Sequence, residues 1–223
     1  MRVRTTLLLT LWCLSYHSKS TAQDGFISLD TVLRQSVLEP MYFGTENFIG
    51  DTIDGYLTEK ILLSIEAASA LSRVEARLNK EGLGLKILDG YRPQTAVDHF
   101  IRWSKNPSDT VEKYRYYPDV RKEQLFDKGY IAERSGHSRG SAVDLTLVDL
   151  ETGIELDMGS KIDYFGPISH PNSTAATAAQ RKNRNILRKA MEEEGFVPLE
   201  TEWWHFSLKN EPFPNTYFSF PVE

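Results

Sequence analysis

The sequence predicts a single α+β domain in which helices flank a central antiparallel sheet. Three observations favour this fold class. The chain has 223 residues, which is the usual size of one domain with one core. Hydrophobic residues make up 40% and charged residues 26%, as in an ordinary globular protein. Helical and strand-like patterns follow one another without the regular alternation of a parallel α/β fold.

The first 22 residues have the pattern of a secretory signal peptide. Two arginines form a basic start, residues 7–14 form a short apolar run, and Ser20 and Ala22 have the small-residue spacing of a cleavage site. The apolar run is shorter than the roughly 20 residues that a membrane-spanning helix needs. We therefore predict cleavage after Ala22, and a secreted or periplasmic mature domain of residues 23–223 without a membrane anchor.

Cleavage after Ala22 changes both the charge and the cysteine content. It removes three basic residues and no acidic one, so the formal net charge moves from −5 to −8. An acidic surface argues against binding to nucleic acid or to an anionic membrane. Cleavage also removes Cys13, the only cysteine, so the mature chain forms no disulfide and offers no thiolate to zinc. Any metal must be bound by His, Asp or Glu.

The first half of the mature chain predicts an irregular start, a helix, a strand and a second helix. Residues 26–48 mix apolar and turn-forming residues, which favours irregular segments with a short strand. Residues 58–80 carry apolar side chains at helical spacing, and glycines follow them. Residues 85–89 alternate like a half-buried strand. The second helix begins near Pro93, a residue that suits a first helical turn.

The second half predicts a loop, a strand, a long helix and a final strand. Residues 107–119 are polar and aromatic and resemble a loop. Residues 142–150 alternate like a strand. Residues 175–194 have one apolar face, and Gly195 is a helix stop signal. Residues 196–208 then predict a final strand.

The segment from Ser135 to Asp144 is the first candidate for a metal site. A histidine, His137, followed by a turn and then by Asp144 on a strand can offer one nitrogen and one oxygen to a metal. Residues seven apart on an uninterrupted strand point to opposite faces. The intervening turn must therefore correct the direction, and Gly140 is able to take the required backbone angles.

The second candidate is the run Glu-Trp-Trp-His-Phe at residues 202–206. His205 can supply a third metal ligand, and Glu202 can act as a base that does not bind the metal. Three protein ligands leave one zinc position open for water, and a nearby carboxylate takes the water's proton during attack on a carbonyl. Strand geometry alone places Glu202 and His205 on opposite faces, so a bend or bulge is needed between them.

The third candidate is the run Asp-Gly-Tyr-Arg-Pro at residues 89–93, where a strand meets a helix. Arg92 places a permanently charged guanidinium there, which can stabilise the oxyanion that develops at an attacked carbonyl. A structural ion pair, with Asp89 or with another acid, is the alternative interpretation of Arg92.

Together the three motifs resemble the D-alanyl-D-alanine dipeptidase family. These zinc enzymes are related to vancomycin-resistance dipeptidases and, more distantly, to D,D-carboxypeptidases and hedgehog signalling domains. The run from Ser135 to Asp144 matches the signature Ser-x-His-x-x-Gly-x-Ala-x-Asp in full. Residues 202–206 and 89–93 match the Glu-Trp-Trp-His-Phe and Asp-x-Tyr-Arg-Pro segments of the family. The resemblance extends over essentially the whole mature chain in the same order.

The resemblance implies roles for eight residues. It implies one Zn²⁺ per chain with three ligands: His137, Asp144 and His205. Glu202 corresponds to the general base that later protonates the leaving amine, and Arg92 to the group that stabilises the transition state. Contacts with the free amino terminus of the substrate are implied for three residues: Ser135, Asp163 and Tyr42. A carboxylate such as Asp163 favours a protonated amine, and so a dipeptide rather than an internal bond.

The expected function is zinc-dependent hydrolysis of the free dipeptide D-Ala-D-Ala, in cell-wall peptide turnover or glycopeptide resistance. One alternative is a D,D-carboxypeptidase that trims the terminal D-Ala from peptidoglycan precursors, and Asp163 argues against it. A second is a non-catalytic zinc-binding interaction module, which needs neither Glu202 nor Arg92. A third is a small-molecule-binding protein, which gives no reason for an open three-ligand site.

Overall fold

The computed structural model describes residues 24–223, and the predicted signal peptide lies outside the described residues. Within this range the chain forms seven strands: β1 (Phe26–Ser28), β2 (Val37–Leu38), β3 (Leu62–Ser64), β4 (Leu83–Asp89), β5 (Ala142–Asp149), β6 (Phe196–Leu199) and β7 (Glu202–Leu208). The same range contains four α-helices: α1 (Ile65–Leu78), α2 (Gln94–Ser104), α3 (Lys113–Tyr116) and α4 (Ala178–Glu193).

Five of these strands form the central sheet in the order β2-β4-β5-β7-β6. The three pairs β4–β5, β5–β7 and β6–β7 are antiparallel, and only the edge pair β2–β4 is parallel. Strands β1 and β3 form a separate antiparallel pair. A mostly antiparallel sheet with helices packed on it confirms the predicted α+β class.

Helices α1 and α4 pack against each other and against the central sheet. The hydroxyl of Ser64 accepts a hydrogen bond from the backbone N–H of Ala67 and so caps the start of α1. Thr177 and Gln180 form a capping box at the start of α4. Gly195 follows the end of α4 with a φ of 90°, which confirms it as the stop signal. None of the described helices is long and apolar enough to span a membrane.

Three predicted elements differ in the structure. The helix predicted over residues 58–80 begins only at Ile65, because β3 pairs with β1 before it. The loop predicted over residues 107–119 contains the short helix α3. Residues 196–208, predicted as one strand, form β6 and β7, which fold back on each other. In the hairpin, backbone N–H and C=O groups of β6 and β7 bond to each other. One long strand would extend past its neighbouring strands and leave such groups unpaired.

The alternation of side chains along β5 places a carboxylate on one face of the sheet. Val143, Leu145 and Leu147 belong to the hydrophobic core. Asp144 lies between them in sequence and therefore projects to the other face. Its side chain is nevertheless only 2% exposed. Because an ionised carboxylate is rarely buried without partners, Asp144 must have positively charged or hydrogen-bonding partners on that face.

Candidate active site

The register of the sheet brings Asp144 beside polar residues on both neighbouring strands. Asp89, the last residue of β4, is paired with Asp144 on one side. His205, in the middle of β7, is paired with Asp144 on the other side. Residues that lie directly opposite each other on antiparallel strands project to the same face. The pairing therefore gathers two carboxylates and one imidazole on the face opposite the core.

His137 reaches this face from a 3-10 turn, Gly136–Arg139, that precedes β5. Gly140 closes the turn in the left-handed conformation, with a φ of 80°, and a Cβ at this position would clash with the ring of Phe26. The predicted change of direction between His137 and Asp144 is thus confirmed. The Nδ1 of His137 donates to the carbonyl oxygen of Gly90 at 2.7 Å. That bond leaves Nε2 as the nitrogen that faces Asp144 and His205 and that can bind a metal.

A bulge in the β6–β7 hairpin brings Glu202 to the same cavity as His205. Pro198 of β6 pairs with Phe206, whereas the next residue, Leu199, pairs with Glu202. Two adjacent residues of β6 therefore pair with residues of β7 that have three residues between them, and this bulge interrupts the alternation of side chains along β7. Glu202 and His205 both line one cavity as a result. The irregularity expected from their spacing is confirmed.

Three side chains direct donor atoms toward one point. The Nε2 of His137 lies 3.0 Å from the Nδ1 of His205 and 3.2 Å from Oδ2 of Asp144. The Nδ1 of His205 lies 3.0 Å from Oδ1 of Asp144. Donor atoms bound tetrahedrally to zinc at about 2.0–2.1 Å are about 3.3 Å apart. The nitrogen and carboxylate donors, and their spacing, therefore fit a zinc ion.

The charge state of Asp144 also suits a metal ligand. Burial alone would raise the pKa of Asp144. The contacts with His137 and His205 outweigh burial and hold the pKa of Asp144 well below its usual range. Metal binding requires a deprotonated carboxylate. Asp144 therefore needs no further change of protonation to bind a cation.

Arg92 forms the predicted ion pair with Asp89 and also lines the cavity. Its Nε donates to Oδ2 of Asp89 at 2.9 Å, and its Nη2 lies 3.5 Å from Oδ2 of Asp144. The hydroxyl of Tyr56 donates to the other oxygen of Asp89 at 2.8 Å. The two interpretations of Arg92 are thus compatible, because the ion pair orients the guanidinium. The sequence predicted Asp89 only as an ion-pair partner in the alternative interpretation of Arg92, and not as a site residue. The spacing of three residues between Asp89 and Arg92 is the sequence feature that indicates this contact.

Asp163 lies in an unusual backbone conformation beside Tyr42. Its φ is 60°, and within residues 24–223 it is the only residue other than glycine that has a positive φ. Aspartate tolerates this left-handed region better than most residues. The hydroxyl of Tyr42 donates to Oδ2 of Asp163 at 2.6 Å. Burial, with the nearby charge of Asp144, raises the pKa of Asp163 to about 7.

All eight residues that were singled out from the sequence line one cavity of about 350 Å³: Tyr42, Arg92, Ser135, His137, Asp144, Asp163, Glu202 and His205. This volume lies at the small end of the range for ligand pockets. Burial raises the pKa of Glu202 to about 7, which suits a group that takes up and releases a proton near neutral pH. The hydroxyl of Ser135 also accepts a hydrogen bond from the backbone N–H of His137.

The raised pKa of Asp163 has a measurable consequence for stability. Its carboxyl group has a pKa of about 7 in the folded chain instead of 3.8. Stability is therefore lost as the pH rises from about 4 to about 7, by at most about 4 kcal/mol. We expect metal-free Asp163→Asn to melt several degrees above metal-free wild type at about pH 8, and close to it at about pH 4. Asparagine retains the acceptor for Tyr42 and tolerates the positive φ.

Thermal unfolding of the metal-free proteins at both pH values measures this difference. Asp127→Asn is the matched control, because Asp127 is exposed and lies outside the cavity. Equal melting temperatures for wild type and Asp163→Asn at the higher pH would contradict the buried-charge explanation.

Comparison with known proteins identifies the family. The chain matches the peptidase M15 family, described as D-ala-D-ala dipeptidase, over residues 22–223. It is 42% identical over 200 residues to a D-alanyl-D-alanine dipeptidase of Enterococcus faecalis, covering 90% of this chain and 99% of that relative. It is 44% identical over 197 residues to the enzyme of the same name from Streptomyces coelicolor, covering 88% of this chain and 98% of that relative. Among solved structures, VanYB in complex with D-Alanine-D-Alanine matches with a TM-score of 0.41 and 14% identity, covering 70% of this chain and 76% of that one. The chain therefore belongs to the peptidase M15 family of D-Ala-D-Ala dipeptidases.

Proposed function

We propose that this chain is a zinc-dependent dipeptidase that hydrolyses free D-Ala-D-Ala to two molecules of D-alanine. The observation that carries the proposal is the convergence of three metal donors, a carboxylate and a guanidinium on one small cavity. The relatives named as D-alanyl-D-alanine dipeptidases support the choice of substrate, because they match over about nine tenths of this chain.

The metal site is proposed to consist of His137, Asp144 and His205. These three side chains would hold the zinc ion, and the bound ion would acidify a water molecule for attack on the scissile carbonyl. The Gly90 carbonyl holds His137 in the tautomer that a metal ligand needs. Ser207 contacts the outer nitrogen of His205, with its Oγ 3.3 Å from Nε2.

Glu202 and Arg92 have different proposed roles at the scissile carbonyl. Glu202 accepts the proton of the attacking water and then delivers it to the leaving amine. In the metal-free chain its pKa is about 7 because of burial, so both directions of transfer are accessible near neutral pH. Arg92 is held at the cavity by Asp89 and stabilises the negative charge that develops on the carbonyl oxygen.

Asp163 is proposed to bind the ammonium group of the first D-alanine. Asp163 is 7% exposed, and its carboxylate accepts a hydrogen bond from Tyr42, whose hydroxyl stays protonated because burial raises its pKa well above the usual range. An ammonium group favours the charged form of Asp163. Ser135 lines the same cavity and offers a hydroxyl oxygen. A buried carboxylate that pairs with an ammonium group favours a free dipeptide over a longer acylated peptide, whose first nitrogen carries no charge.

The direct test is hydrolysis with controlled metal content. Purified protein is expected to release D-alanine from D-Ala-D-Ala, to lose this activity with a chelator, and to regain it when Zn²⁺ is added. The control variant is His99→Asn, because His99 lies outside the cavity and should leave zinc content and turnover unchanged. Full turnover by the chelated protein would refute the zinc mechanism.

Residues 1–22 are proposed to direct the enzyme out of the cytoplasm. The basic start, the apolar run and the small residues at positions 20 and 22 support a cleaved signal peptide. The mass of the protein recovered after cell fractionation tests this proposal. An intact N-terminus on protein found only in the cytoplasm would refute it.

A further inference from the structure

The segment that carries Asp163 has little regular structure of its own. Residues 157–170 run from the end of the β5 region toward α4, and their regular structure is a single 3-10 turn, Pro167–Ser169. Asp163 has its positive φ inside this segment. A conformation of this kind persists only when the surroundings hold it. The position of the Asp163 carboxylate therefore depends on contacts from outside the segment.

Arg184, on the buried side of α4, supplies such contacts at both ends of the segment. Its Nε donates to the carbonyl oxygen of Met158 at 2.7 Å, and its Nη1 donates to the carbonyl oxygen of His170 at 2.9 Å. These carbonyls precede and follow Asp163 in sequence. The planar guanidinium can reach two acceptors in fixed directions, which a lysine or glutamine cannot reproduce.

The segment also fits closely around Arg184. A Cβ at position 159 would lie 3.1 Å from Nη2 of Arg184, so Gly159 leaves room for the guanidinium. The guanidinium carbon lies 5.7 Å from the ring centroid of Trp203. Trp203 in turn donates from its Nε1 to the hydroxyl of Ser160 at 2.8 Å. Arg184 and Trp203 thus connect the Asp163 segment to α4 and to the strand that carries Glu202.

The burial of Arg184 is unusual for a residue with no ionic partner. Its side chain is 2% exposed, and no carboxylate in residues 24–223 forms an ion pair with it. Burial lowers its pKa, and the charge of Asp157 only partly offsets this effect. An apolar residue would fill the same space without the cost of burying a charge. The hydrogen bonds to Met158 and His170 are what the arginine adds.

We propose that Arg184 is a positioning residue for recognition of the substrate's amino group. By holding the carbonyls of Met158 and His170, it fixes the backbone conformation that presents the Asp163 carboxylate to the cavity. The proposal rests on the proposed function, in which Asp163 binds the ammonium group of the dipeptide. Arg184 itself does not line the cavity and is not expected to touch the substrate.

The test separates KM from kcat. We expect Arg184→Gln to keep its zinc, to raise KM for D-Ala-D-Ala about tenfold, which is about 1.4 kcal/mol, and to change kcat much less. The matched control is Arg188→Gln, one turn further along α4, because Arg188 pairs with Glu192 and Glu200 at the surface. This control should leave both constants unchanged.

A double variant shows whether Arg184 acts through Asp163. In an Asp163→Asn background, adding Arg184→Gln is expected to raise KM no further, because the effects of two substitutions that remove the same contact do not add. Turnover of N-acetyl-D-Ala-D-Ala, which lacks the ammonium group, should be the same with and without Arg184→Gln. An additive loss, or an equal loss on both substrates, would overturn the proposal.

Three further cases have different consequences. If Arg184→Gln does not fold, Arg184→Lys carries the same comparison, and an unchanged KM for the free dipeptide then overturns the proposal. If wild-type protein does not hydrolyse D-Ala-D-Ala at all, the proposed function fails. If wild type is active and the Arg184 variants keep its KM, only the positioning role fails.

Discussion

Glu202→Gln is expected to keep one zinc per chain and to lose about 10³-fold in kcat on D-Ala-D-Ala. Glutamine has the size of glutamate, but it cannot accept the proton of the attacking water or return it to the leaving amine. Glu202 is not one of the three side chains whose donor atoms converge, so its replacement leaves the metal site intact. Metal analysis and steady-state kinetics on the same preparation measure both effects.

Two further variants distinguish the loss of the base from a general effect of substitution and from the loss of the metal. Glu200→Gln changes an exposed glutamate two residues away, in the β6–β7 turn, and should behave as wild type. His205→Ala removes a proposed ligand, so it should lose zinc and turnover together. Wild-type turnover in folded, zinc-loaded Glu202→Gln would exclude Glu202 as the base. Stoichiometric zinc in His205→Ala would exclude the ligand assignment.

Acetylation of the substrate's amino group is expected to reduce kcat/KM by about 10²–10³-fold, because the acetylated nitrogen carries no charge and the attraction between an ammonium group and a buried carboxylate is lost. Asp163 is the group concerned, since it lies buried at the cavity with Tyr42 as its hydrogen-bond donor. An acetyl group removes the ammonium charge and adds atoms on the nitrogen that Asp163 is proposed to bind. The measurement compares D-Ala-D-Ala with N-acetyl-D-Ala-D-Ala on one preparation.

Asp163→Asn should weaken this preference, mainly by losing activity on the free dipeptide. Asp127→Asn, which changes an exposed aspartate outside the cavity, should retain the full preference. If wild type cleaves the acetylated peptide as well as the free one, the enzyme is a D,D-carboxypeptidase and the proposed substrate is wrong.

Much of the fold was accessible from short stretches of sequence. The apolar spacing of α1 and α4 and the stop at Gly195 were predicted, because a helix depends on residues three or four positions apart. The left-handed turn at Gly140 was predicted because the two proposed ligands had to share one face. The prediction failed where β6 and β7 fold back on each other, since each strand alone has the same alternation as one long strand.

The sequence by itself determined the α+β class, the motifs that carry the metal donors, and the resemblance that assigns a role to each site residue. Only the tertiary structure decided how these residues meet. Tyr42 and Asp163 are 121 residues apart in sequence. The ion pair with Asp89 places Arg92 near the metal ligands because the sheet register sets Asp89 beside Asp144. The role inferred for Arg184 likewise depends on two carbonyls in a distant segment. The physical reason is that local preferences act over a few neighbouring residues, whereas contacts between distant segments follow from the packing of the whole chain.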